Sequence, residues 1–441
     1  MKMTRIILRL CIAIALVSTA SATVPVVTNV VASQRASTKL VDIYYNVSDA
    51  EGDSLKIGVE VSNNAGQTYS IPASSLTGDY GSGITPGTGK HIVWNAGVDW
   101  DGEYSSQMRV KVVASDGTGL PGLAWSSEIP AGGFLMGQDG GAEGNGPSRH
   151  VNIPWSYWLS KYEITADQYS EFLNIALAAG NITRMGTTGV VANGSSFIGV
   201  TNGTQLIKLD QLRDVVWNIN SFEAAPGRSN FPVRVNWYGA IAFAQHFGYD
   251  LPTDAEWEKA VRGPDHAEGE QHQVYPWGNF LTNSCANYHN SGDPKDSLNM
   301  LGYYYSGYPE RYSSGDMTVV GYYNGNQTPI GSDMGNPYGI YDMTGNAYEW
   351  CRSKWVASVE SYVQLEALTN TLNLLTGSEN RVIRGGSCFS SATYYSYFSS
   401  LDALKCYYRD SRVPNLDSTS KDSTAQYYRP DIGFRVVRRA P

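Results

Sequence analysis

Cysteine and histidine are the residues of this 441-residue chain best suited to hold a soft metal or to supply a nucleophile and a base. None of the cysteines lies in a Cys-x-x-Cys pair or beside a histidine, so no zinc site is indicated. The six histidines are scattered, whereas a non-heme iron site needs two of them with a carboxylate. Outside the N-terminal apolar run the cysteines are Cys285, Cys351, Cys388 and Cys406. In an oxidising compartment they permit one or two disulfides, in any of three connectivities.

A second candidate for function lies near the C-terminus, where two strand-like runs enclose a long irregular segment. The runs are Arg381–Arg384 and Gly433–Arg439, and the first is followed by two glycines and Ser387. Adjacent glycines let the backbone turn sharply and approach a bound group closely. Loops clamped between strands are where scaffolds usually carry their sites. We therefore expect the functional residues between 388 and 430, in a segment too irregular to belong to the core.

Tyrosine and serine dominate this C-terminal segment. Five tyrosines and six serines lie in the 25 residues from Cys388 to Arg412. Rigid amphipathic rings combined with small hydrogen-bonding groups are typical of adaptable binding surfaces. The alternative is an ordinary surface loop whose sequence varies freely. As the binding loop we predict Tyr394, Tyr395, Tyr397, Tyr407, Tyr408, Tyr427 and Tyr428.

The whole chain limits the classes of protein to consider. Its length predicts two or three domains, and its net charge of −9 argues against nucleic-acid or anionic-membrane partners. Residues 1–22 have basic residues, an apolar run from Leu10 to Val17 and an Ala-Ser-Ala end at Ala22. This pattern predicts a signal peptide. No later segment reaches eighteen apolar residues, so we expect no membrane span. We expect an exported protein, periplasmic or extracellular.

Residues 23–118 predict an all-β domain. Runs such as Lys39–Val47 and Ser54–Val61 are rich in β-branched and aromatic residues, partly alternating, and separated by Gly, Asn, Asp and Ser. This spacing is typical of a β-sandwich of the immunoglobulin or fibronectin type. A glycine-rich stretch follows, and we take residues 119–128 as a linker.

The second predicted domain covers residues 129–441 and mixes helices with strands. Thr165 with Gln168, and Thr253 with Glu256, stand at capping-box spacing, so a helix should begin at each site. Between them, Tyr238–Phe247 has helical periodicity. Residues 178–225 are rich in Gly, Asn, Thr and Ser and predict a surface insertion. Beyond Val261 periodicity is lost, which in a packed domain suggests bound ions, disulfides or a large functional surface.

These motifs give the second domain a resemblance to the formylglycine-generating enzyme (sulfatase-modifying factor) family. Eight pieces occur in the family's order between residues 129 and 439. They are Ile-Pro-Ala-Gly-Gly-Phe-Leu-Met-Gly, Tyr-Glu-Ile-Thr, Pro-Val-Arg-Val-Asn-Trp, Leu-Pro-Thr-Asp-Ala-Glu-Trp-Glu-Lys-Ala, Tyr-Pro-Trp-Gly-Asn, Thr-Gly-Asn-Ala-Tyr-Glu-Trp, Arg-Gly-Gly-Ser and Ile-Gly-Phe-Arg. The resemblance implies a C-type-lectin-like α+β fold with little regular structure.

The resemblance implies calcium but places copper in doubt. A first calcium would be held by the Asp342 and Glu349 side chains with the Gly345 and Ala347 carbonyls, an oxygen set that calcium prefers. A second would begin at Asn287 and Tyr288, with Asp293, Asp296 or Asp316 as its acidic ligand. Enzymes of the family oxidise a sulfatase cysteine with copper(I), a soft metal ion that prefers two thiolate ligands. Those thiolates should follow Ser387, but the matching residues are Ser390 and Tyr395.

Other positions of the implied oxygen pocket are also altered. Ser387 matches the family's pocket serine, whereas Tyr348 stands in place of a tryptophan and Asp431 in place of an asparagine. Cys388 and Cys406 lie nearby, and we predict that they form a disulfide and not an improvised copper pair. We therefore expect calcium as the cofactor, with neither copper nor iron.

The sequence leaves three functions open. The first is a calcium-stabilised module that binds a protein, peptide or glycan through the C-terminal loop, and this is the function that we favour. The second is a formylglycine-generating oxidase, which the family resemblance supports and the missing thiolates oppose. The third is a non-heme iron oxidase like the family's ergothioneine-synthesis branch, which the histidine spacing opposes.

Overall fold

The structure is a computed structural model of the chain. It describes residues 25–440 except 50–51, 53, 64–70, 72, 103, 116–119, 121–122, 141–144, 195, 210–213, 265–272, 297–315, 363–374, 376–377, 392–398 and 416–430. The predicted signal peptide, residues 1–22, lies outside the described residues.

The described residues of the N-terminal part of the chain form seven strands and a one-turn helix. The strands pair as an antiparallel sheet in the order β1-β2-β6-β4 and a second in the order β5-β3-β7. Apolar residues alternate along β2, so that Ile43, Tyr45 and Val47 are buried. They join residues of the other sheet, such as Val61 and Val112, in one hydrophobic cluster. The elements are β1 Val26–Gln34, β2 Leu40–Ser48, β3 Leu55–Ser62, β4 Leu76–Gly78, β5 Gly81–Ile84, β6 Gly87–Asn95, α1 Ala96–Asp99 and β7 Arg109–Ser115.

Part of the predicted linker packs against the rest of the protein. Leu120 is buried in the largest hydrophobic cluster, and Trp125 packs against that cluster. The Ser126 amide donates to the Leu159 carbonyl at 2.9 Å, and the Ser127 amide to the Tyr338 carbonyl at 2.9 Å. The sequence predicts a linker here, whereas this part of it is packed, because burial of its apolar side chains fixes the segment.

Three helices form where the sequence predicts them. In α2 (Ala166–Ala178) and α4 (Asp254–Arg262) both hydrogen bonds of the capping box are present, at Thr165 and at Thr253. Helix α3 (Trp237–His246) begins after Asn236, whose side chain accepts from the Gly239 amide. Because these caps satisfy amides that have no partner within the helix, they fix where each helix starts.

The segment predicted as a surface insertion is instead part of the core. Residues 178–225 contain five short strands, and their apolar side chains, among them Val190, Leu206 and Phe222, are buried with α2 and α3. The prediction was wrong because each strand is only four residues long and the turns between them dominate the composition. The strands are β11 Ile182–Met185, β12 Gly189–Ala192, β13 Gln205–Lys208, β14 Val215–Asn218 and β15 Ser221–Ala224.

The C-terminal strands build the sheet on which the candidate site rests. This sheet has the order β20-β17-β16-β21, and only the β16–β21 pair is parallel. The predicted run Gly433–Arg439 is divided into two strands, and the last one pairs with β10. The remaining strands are β8 Gly132–Met136, β9 Arg149–Ile153, β10 Tyr157–Leu159, β16 Tyr348–Lys354, β17 Arg381–Arg384, β18 Ser390–Ser391, β19 Ser399–Ser400, β20 Asp410–Arg412, β21 Ile432–Gly433 and β22 Val437–Arg439.

Buried arginines join this sheet to α4. Arg384 forms ion pairs with Asp254 (2.5 Å) and Glu258 (2.8 Å), and all three side chains are fully buried. Arg409 pairs with the second oxygen of Asp254 at 2.7 Å, and Arg262 pairs with Glu258 at 2.7 Å. Buried charges are tolerated only when they are matched in this way. The network therefore fixes the position of β17 on the helix.

Arg384 also holds the segment that follows Ser387. Its guanidinium donates to the Cys406 carbonyl at 3.2 Å and to the Tyr408 carbonyl at 3.0 Å. Ala403 and Leu404, in a short 3-10 helix, are fully buried. The prediction that this segment is too irregular to belong to the core is therefore wrong for Ala403 and Leu404, whereas Asp402 and Val413 are exposed. A buried guanidinium with several donors can anchor irregular backbone as firmly as a sheet does.

The predicted disulfide is not formed. Cys388 and Cys406 are both free and buried. Cys388 packs with Phe231 and Phe389 in one hydrophobic cluster, whereas Cys406 belongs to the cluster that contains α4. The prediction rested on proximity in sequence, but the segment between them takes the two thiols into different parts of the core. Cys285 and Cys351 are likewise free and buried.

Candidate functional site

The Gly-Gly turn brings Ser387 into a closed corner at the end of β17. Gly385 and Gly386 both have positive φ, 91° and 71°. A Cβ on Gly386 would lie 2.8 Å from the Leu404 side chain and 3.0 Å from the Ala403 carbonyl oxygen. A residue with a side chain would therefore be strained and crowded at this position. Glycine is required for the turn that places Ser387 beside the following loop.

Ser387 is hydrogen-bonded to two other predicted site residues. Its hydroxyl donates to Asp431 Oδ2, and its backbone amide donates to Ser390 Oγ at 3.1 Å. The Phe389 amide in turn donates to Ser387 Oγ at 3.2 Å. Ser387, Ser390 and Asp431 are all fully buried. The structure thus brings three of the predicted positions together as a hydrogen-bonded unit.

Tyr348 adjoins this unit through the backbone. Its amide donates to the Asp431 carbonyl at 2.8 Å, at the point where β16 pairs with β21. The tyrosine side chain is fully buried, in the largest hydrophobic cluster. Of the predicted pocket positions, Tyr395 lies outside the described residues.

Burial determines the protonation of the two nearby thiols. Burial, together with the negative charges of Asp431 and Asp316, raises the pKa of Cys388 well above its usual range. Burial also raises the pKa of Cys406 to about 12. The thiolate and not the thiol is the nucleophile. Both groups are therefore protonated thiols near neutral pH.

The first predicted calcium loop contains or adjoins three carboxylates, of which two are buried and one, Asp342, is half-buried. Glu349 accepts two hydrogen bonds from Arg435, at 2.6 and 2.7 Å, and one from the Trp257 indole at 2.7 Å. Asp342 accepts from the Gly321 amide. Burial and the charge of Glu349 raise the pKa of Asp342, against the opposing effect of Arg435.

Glu163 is the third carboxylate, and the sequence analysis missed it. It is buried, and it accepts from the Asn346 side chain at 2.8 Å and from the Ala347 amide at 3.1 Å. Burial and the charges of Asp342 and Glu349 raise its pKa strongly. Glu163 belongs to the Tyr-Glu-Ile-Thr motif, directly before the helix start that drew attention to Thr165. The motif indicated that these residues matter, but only the fold shows that the Glu163 carboxylate lies beside the predicted calcium loop.

The residues of the second predicted calcium site are also close to one another. The Asn287 side chain donates to the Asp316 backbone carbonyl at 2.9 Å, and the Asn287 backbone carbonyl accepts from the Asn346 backbone amide at 2.9 Å. The Tyr288 hydroxyl donates to the Asn283 side chain at 3.0 Å. Of the three candidate carboxylates, Asp316 pairs with Arg228 at 2.7 Å. Asp293 and Asp296 accept hydrogen bonds from neighbouring loop residues.

The predicted binding loop is described only in part. Tyr407 and Tyr408 are partly exposed, and the Lys405 ammonium lies 5.9 Å from the centroid of the Tyr407 ring. Tyr408 packs against the largest hydrophobic cluster. The other residues of the predicted loop lie outside the described residues; they are Tyr394, Tyr395, Tyr397, Tyr427 and Tyr428.

The described histidines lie on separate elements. His91 is on β6 and His150 on β9, whereas His246 ends α3 and His289 lies in a loop. The structure positions no group of three or more His, Cys, Asp or Glu side chains for a metal ion within its described residues. Nor does any described helix have the length and apolar character needed to cross a membrane.

The fold and this corner define a class of protein: an α+β domain with few helices, in which an Arg-Gly-Gly-Ser turn and a closing strand enclose a buried Ser/Asp unit. Residues 123–440 match the family described as the sulfatase-modifying factor enzyme 1-like domain. The chain belongs to this family, as its sequence motifs predict.

Relatives within the family include both active and inactive proteins by name. The formylglycine-generating enzyme of Mus musculus is 26% identical over 376 residues, which cover 83% of this chain and 87% of the relative. The inactive C-alpha-formylglycine-generating enzyme 2 of Bos taurus is 27% identical over 249 residues, 52% of this chain and 71% of the relative. Among solved structures, PvdO from Pseudomonas aeruginosa aligns with 18% identity and a TM-score of 0.38, over 71% of this chain and 93% of PvdO.

Proposed function

We propose that this protein is a non-oxidising, ligand-binding member of the family, on a lectin-like scaffold stabilised by calcium. The observation that carries the proposal is the buried Ser387–Asp431–Ser390 unit. In that unit Ser390 occupies the first position where the resemblance calls for a copper thiolate. A hydroxyl group is a poor ligand for soft copper(I).

The hydrogen bonds give these residues a framework role. Ser390 Oγ accepts from the Ser387 amide, and the Ser387 hydroxyl donates to Asp431. These contacts tie the start of the C-terminal segment to its end, immediately before β21. A relative named as an inactive formylglycine-generating enzyme supports the idea that the scaffold persists without the oxidation. The proposed ligand is a protein, peptide or glycan bound through the C-terminal segment.

The remaining parts of the proposal concern export and architecture. The N-terminal sheets would form a β-sandwich of the immunoglobulin or fibronectin type and act as a spacer or adhesion module. The protein would leave the cytoplasm by means of the N-terminal signal peptide, which would be cleaved near Ala22. The common hydrophobic cluster of the two sheets supports the sandwich, because facing sheets bury their inner side chains against each other.

Calcium is proposed on charge and on ligand type. Glu163 and Glu349 are buried, and Asp342 lies half-buried beside them. Burial raises the pKa of Glu163 and of Asp342, and Arg435 is the cation whose charge opposes this by lowering both. A divalent cation near Asp342 and the Gly345 and Ala347 carbonyls would offset the excess negative charge with the oxygen ligands that calcium prefers. We expect the protein to melt at a higher temperature in calcium than in EGTA. At a calcium concentration one hundred times Kd, binding should add about 2.7 kcal/mol to the free energy of unfolding. Equal melting curves in calcium and EGTA would remove calcium from the proposal.

Copper(I) titration combined with a peptide assay tests the central claim. The full-length protein is titrated with copper(I) and incubated in air with a Cys-x-Pro-x-Arg peptide, and formylglycine is measured by mass spectrometry. We expect no tight copper(I) binding and no product. The matched variant Ser390→Cys with Tyr395→Cys restores the thiol positions that the resemblance implies, and it should gain copper(I) affinity. Formylglycine production by the unmodified protein would refute the proposal.

A second experiment separates a framework role of Ser387 from a chemical one. Ser387→Ala leaves the buried Asp431 carboxylate without this hydrogen bond. We expect a loss of about 1–3 kcal/mol in the free energy of unfolding, the usual cost of an unsatisfied buried polar group. Urea denaturation measures it. An unchanged unfolding midpoint would show that the Ser387–Asp431 contact does not support the fold.

A further inference from the structure

A cavity of 640 Å³ lies beside the start of α3. None of the pocket, calcium or binding-loop residues predicted individually lines it, although the end of the predicted 388–430 segment does. The strand β13 contributes Gln205 and Lys208, and α3 contributes Tyr238. The residues after β20, Val413–Asn415, form another part of the wall. The cavity therefore joins the core strands to the last described part of the C-terminal segment before residue 416. Its volume is within the range of small-molecule binding sites, about 300–1,000 Å³.

Hydrogen bonds hold the walls of this cavity against one another. The Trp237 amide donates to the Pro414 carbonyl at 3.1 Å. The Asn236 side chain donates to the Gln205 carbonyl at 2.8 Å and accepts from the Gly239 amide at 2.8 Å. The three wall segments are thus fixed before any ligand arrives. A preformed site of this kind spends little binding free energy on ordering.

The lining offers uncommitted neutral hydrogen-bonding groups. The structure gives no hydrogen bond from another described residue to the Gln205 side-chain amide or to the Tyr238 hydroxyl, and both residues are partly exposed. Asn415 and Ser378 add an exposed amide and an exposed hydroxyl. Among the described residues that line the cavity, no side chain is a carboxylate. Its one lysine, Lys208, already takes part in an interaction within the chain.

We propose that this cavity binds a neutral saccharide, a mono- or disaccharide unit. Amide and hydroxyl side chains both donate and accept, as the hydroxyls of a sugar do. The ring of Tyr238 provides an apolar surface with a polar tip for one face of a sugar ring. Because no lining carboxylate can hold a cation and Lys208 is engaged, a neutral ligand matches the cavity better than a charged one. The inference rests on the proposed function and gives that function a ligand class.

The test uses the full-length protein and defined sugars. Cellobiose, maltose and N,N′-diacetylchitobiose are the neutral probes, and glucose 6-phosphate is the charged comparison, all measured by saturation-transfer NMR and calorimetry. We expect at least one neutral probe to bind. Tyr238→Ala should weaken it about tenfold through loss of the ring, and Gln205→Ala about fivefold through loss of hydrogen bonds. Tyr44→Ala, at an exposed tyrosine on β2, is the matched control and should bind as the unmodified protein does.

Distinct outcomes overturn the inference and the proposed function. Binding of no neutral probe, binding unaffected by Gln205→Ala and Tyr238→Ala, or preference for glucose 6-phosphate would each overturn the saccharide assignment. If Tyr238→Ala unfolds, Tyr238→Phe and Gln205→Ala still report on the cavity, since the phenylalanine keeps the ring and removes only the hydroxyl. None of these results concerns copper, so the proposed non-oxidising function fails only if the peptide assay yields formylglycine.

Discussion

Replacing His246 gives a sharp test of the packing around α3. This histidine is 9% exposed and packs against the rings of Phe172 and Phe247, with ring centroids 5.2 and 4.9 Å away. Its Nε2 atom is buried and has no hydrogen-bond partner in the structure. Burial therefore lowers the pKa of His246 from 6.5 to about 4. The fold accommodates the neutral ring and disfavours the charged one.

The direction and size of the pH effect follow from this shift. Because the pKa is lower in the folded state, the unfolded chain takes up the proton first, and stability falls as pH decreases from 6.5 toward 4. The shift predicts a loss of about 2 kcal/mol between about pH 7.5 and about pH 5, and about 3 kcal/mol by about pH 4. In His246→Met, which keeps an apolar side chain of adaptable shape, this component should be absent.

Urea denaturation at a series of pH values measures the difference between the two proteins. Other titrating groups, including Glu163 and Asp342, contribute equally to both, so the difference in unfolding free energy isolates His246. If the difference in unfolding free energy between the unmodified protein and His246→Met does not change with pH, the reasoning is refuted. A histidine with a lowered pKa in the folded state must make the unfolding free energy depend on pH in this range.

Three further substitutions, one of them with a matched control, test the framework. Arg384→Met removes the central cation of the network on α4. We expect the free energy of unfolding, measured by urea denaturation, to fall by about 3–5 kcal/mol. A fall of less than about 1 kcal/mol would contradict the contribution of the buried ion pairs. Gly345→Ala places a Cβ 2.2 Å from the Asn287 carbonyl oxygen and should prevent stable folding. Its control is Gly339→Ala, at a glycine with positive φ and open space around it, which should lower the free energy of unfolding by only about 1 kcal/mol. Equal falls in melting temperature for the two variants would exclude the clash. Thr253→Ala removes a cap and should cost about 1 kcal/mol, seen as a lower urea midpoint; an unchanged midpoint would show that the cap does not stabilise α4.

Several parts of the fold could be predicted because their determinants are local. The helix starts at Thr165 and Thr253 depend on residues three positions apart, which satisfy one another's backbone amides. The strand Arg381–Arg384 has the predicted bounds because a Gly-Gly turn ends it. The pocket positions Ser387, Ser390 and Asp431 were implied by the family resemblance, and the structure connects these residues by hydrogen bonds.

Other parts could not be predicted because their determinants are distant in sequence. Residues 178–225 appeared polar, yet apolar side chains of their short strands are buried in one hydrophobic cluster with those of α2 and α3. Cys388 and Cys406 appeared close, but the route of the chain separates them into different clusters. Two of the charged groups near Glu163 are Asp342 and Glu349, which are almost two hundred positions away in the sequence.

What the sequence by itself determined is the family, the helix caps, the glycine turn and the absence of cysteine at the position that Ser390 occupies. Each of these is a property of a short motif and needs no knowledge of the packing. Only the tertiary structure decided which side chains are buried, which charges face one another and where a cavity remains. The physical reason is that burial and electrostatic interaction depend on distance in space, and in this domain the decisive pairs, such as Arg384 with Asp254, are 130 residues apart.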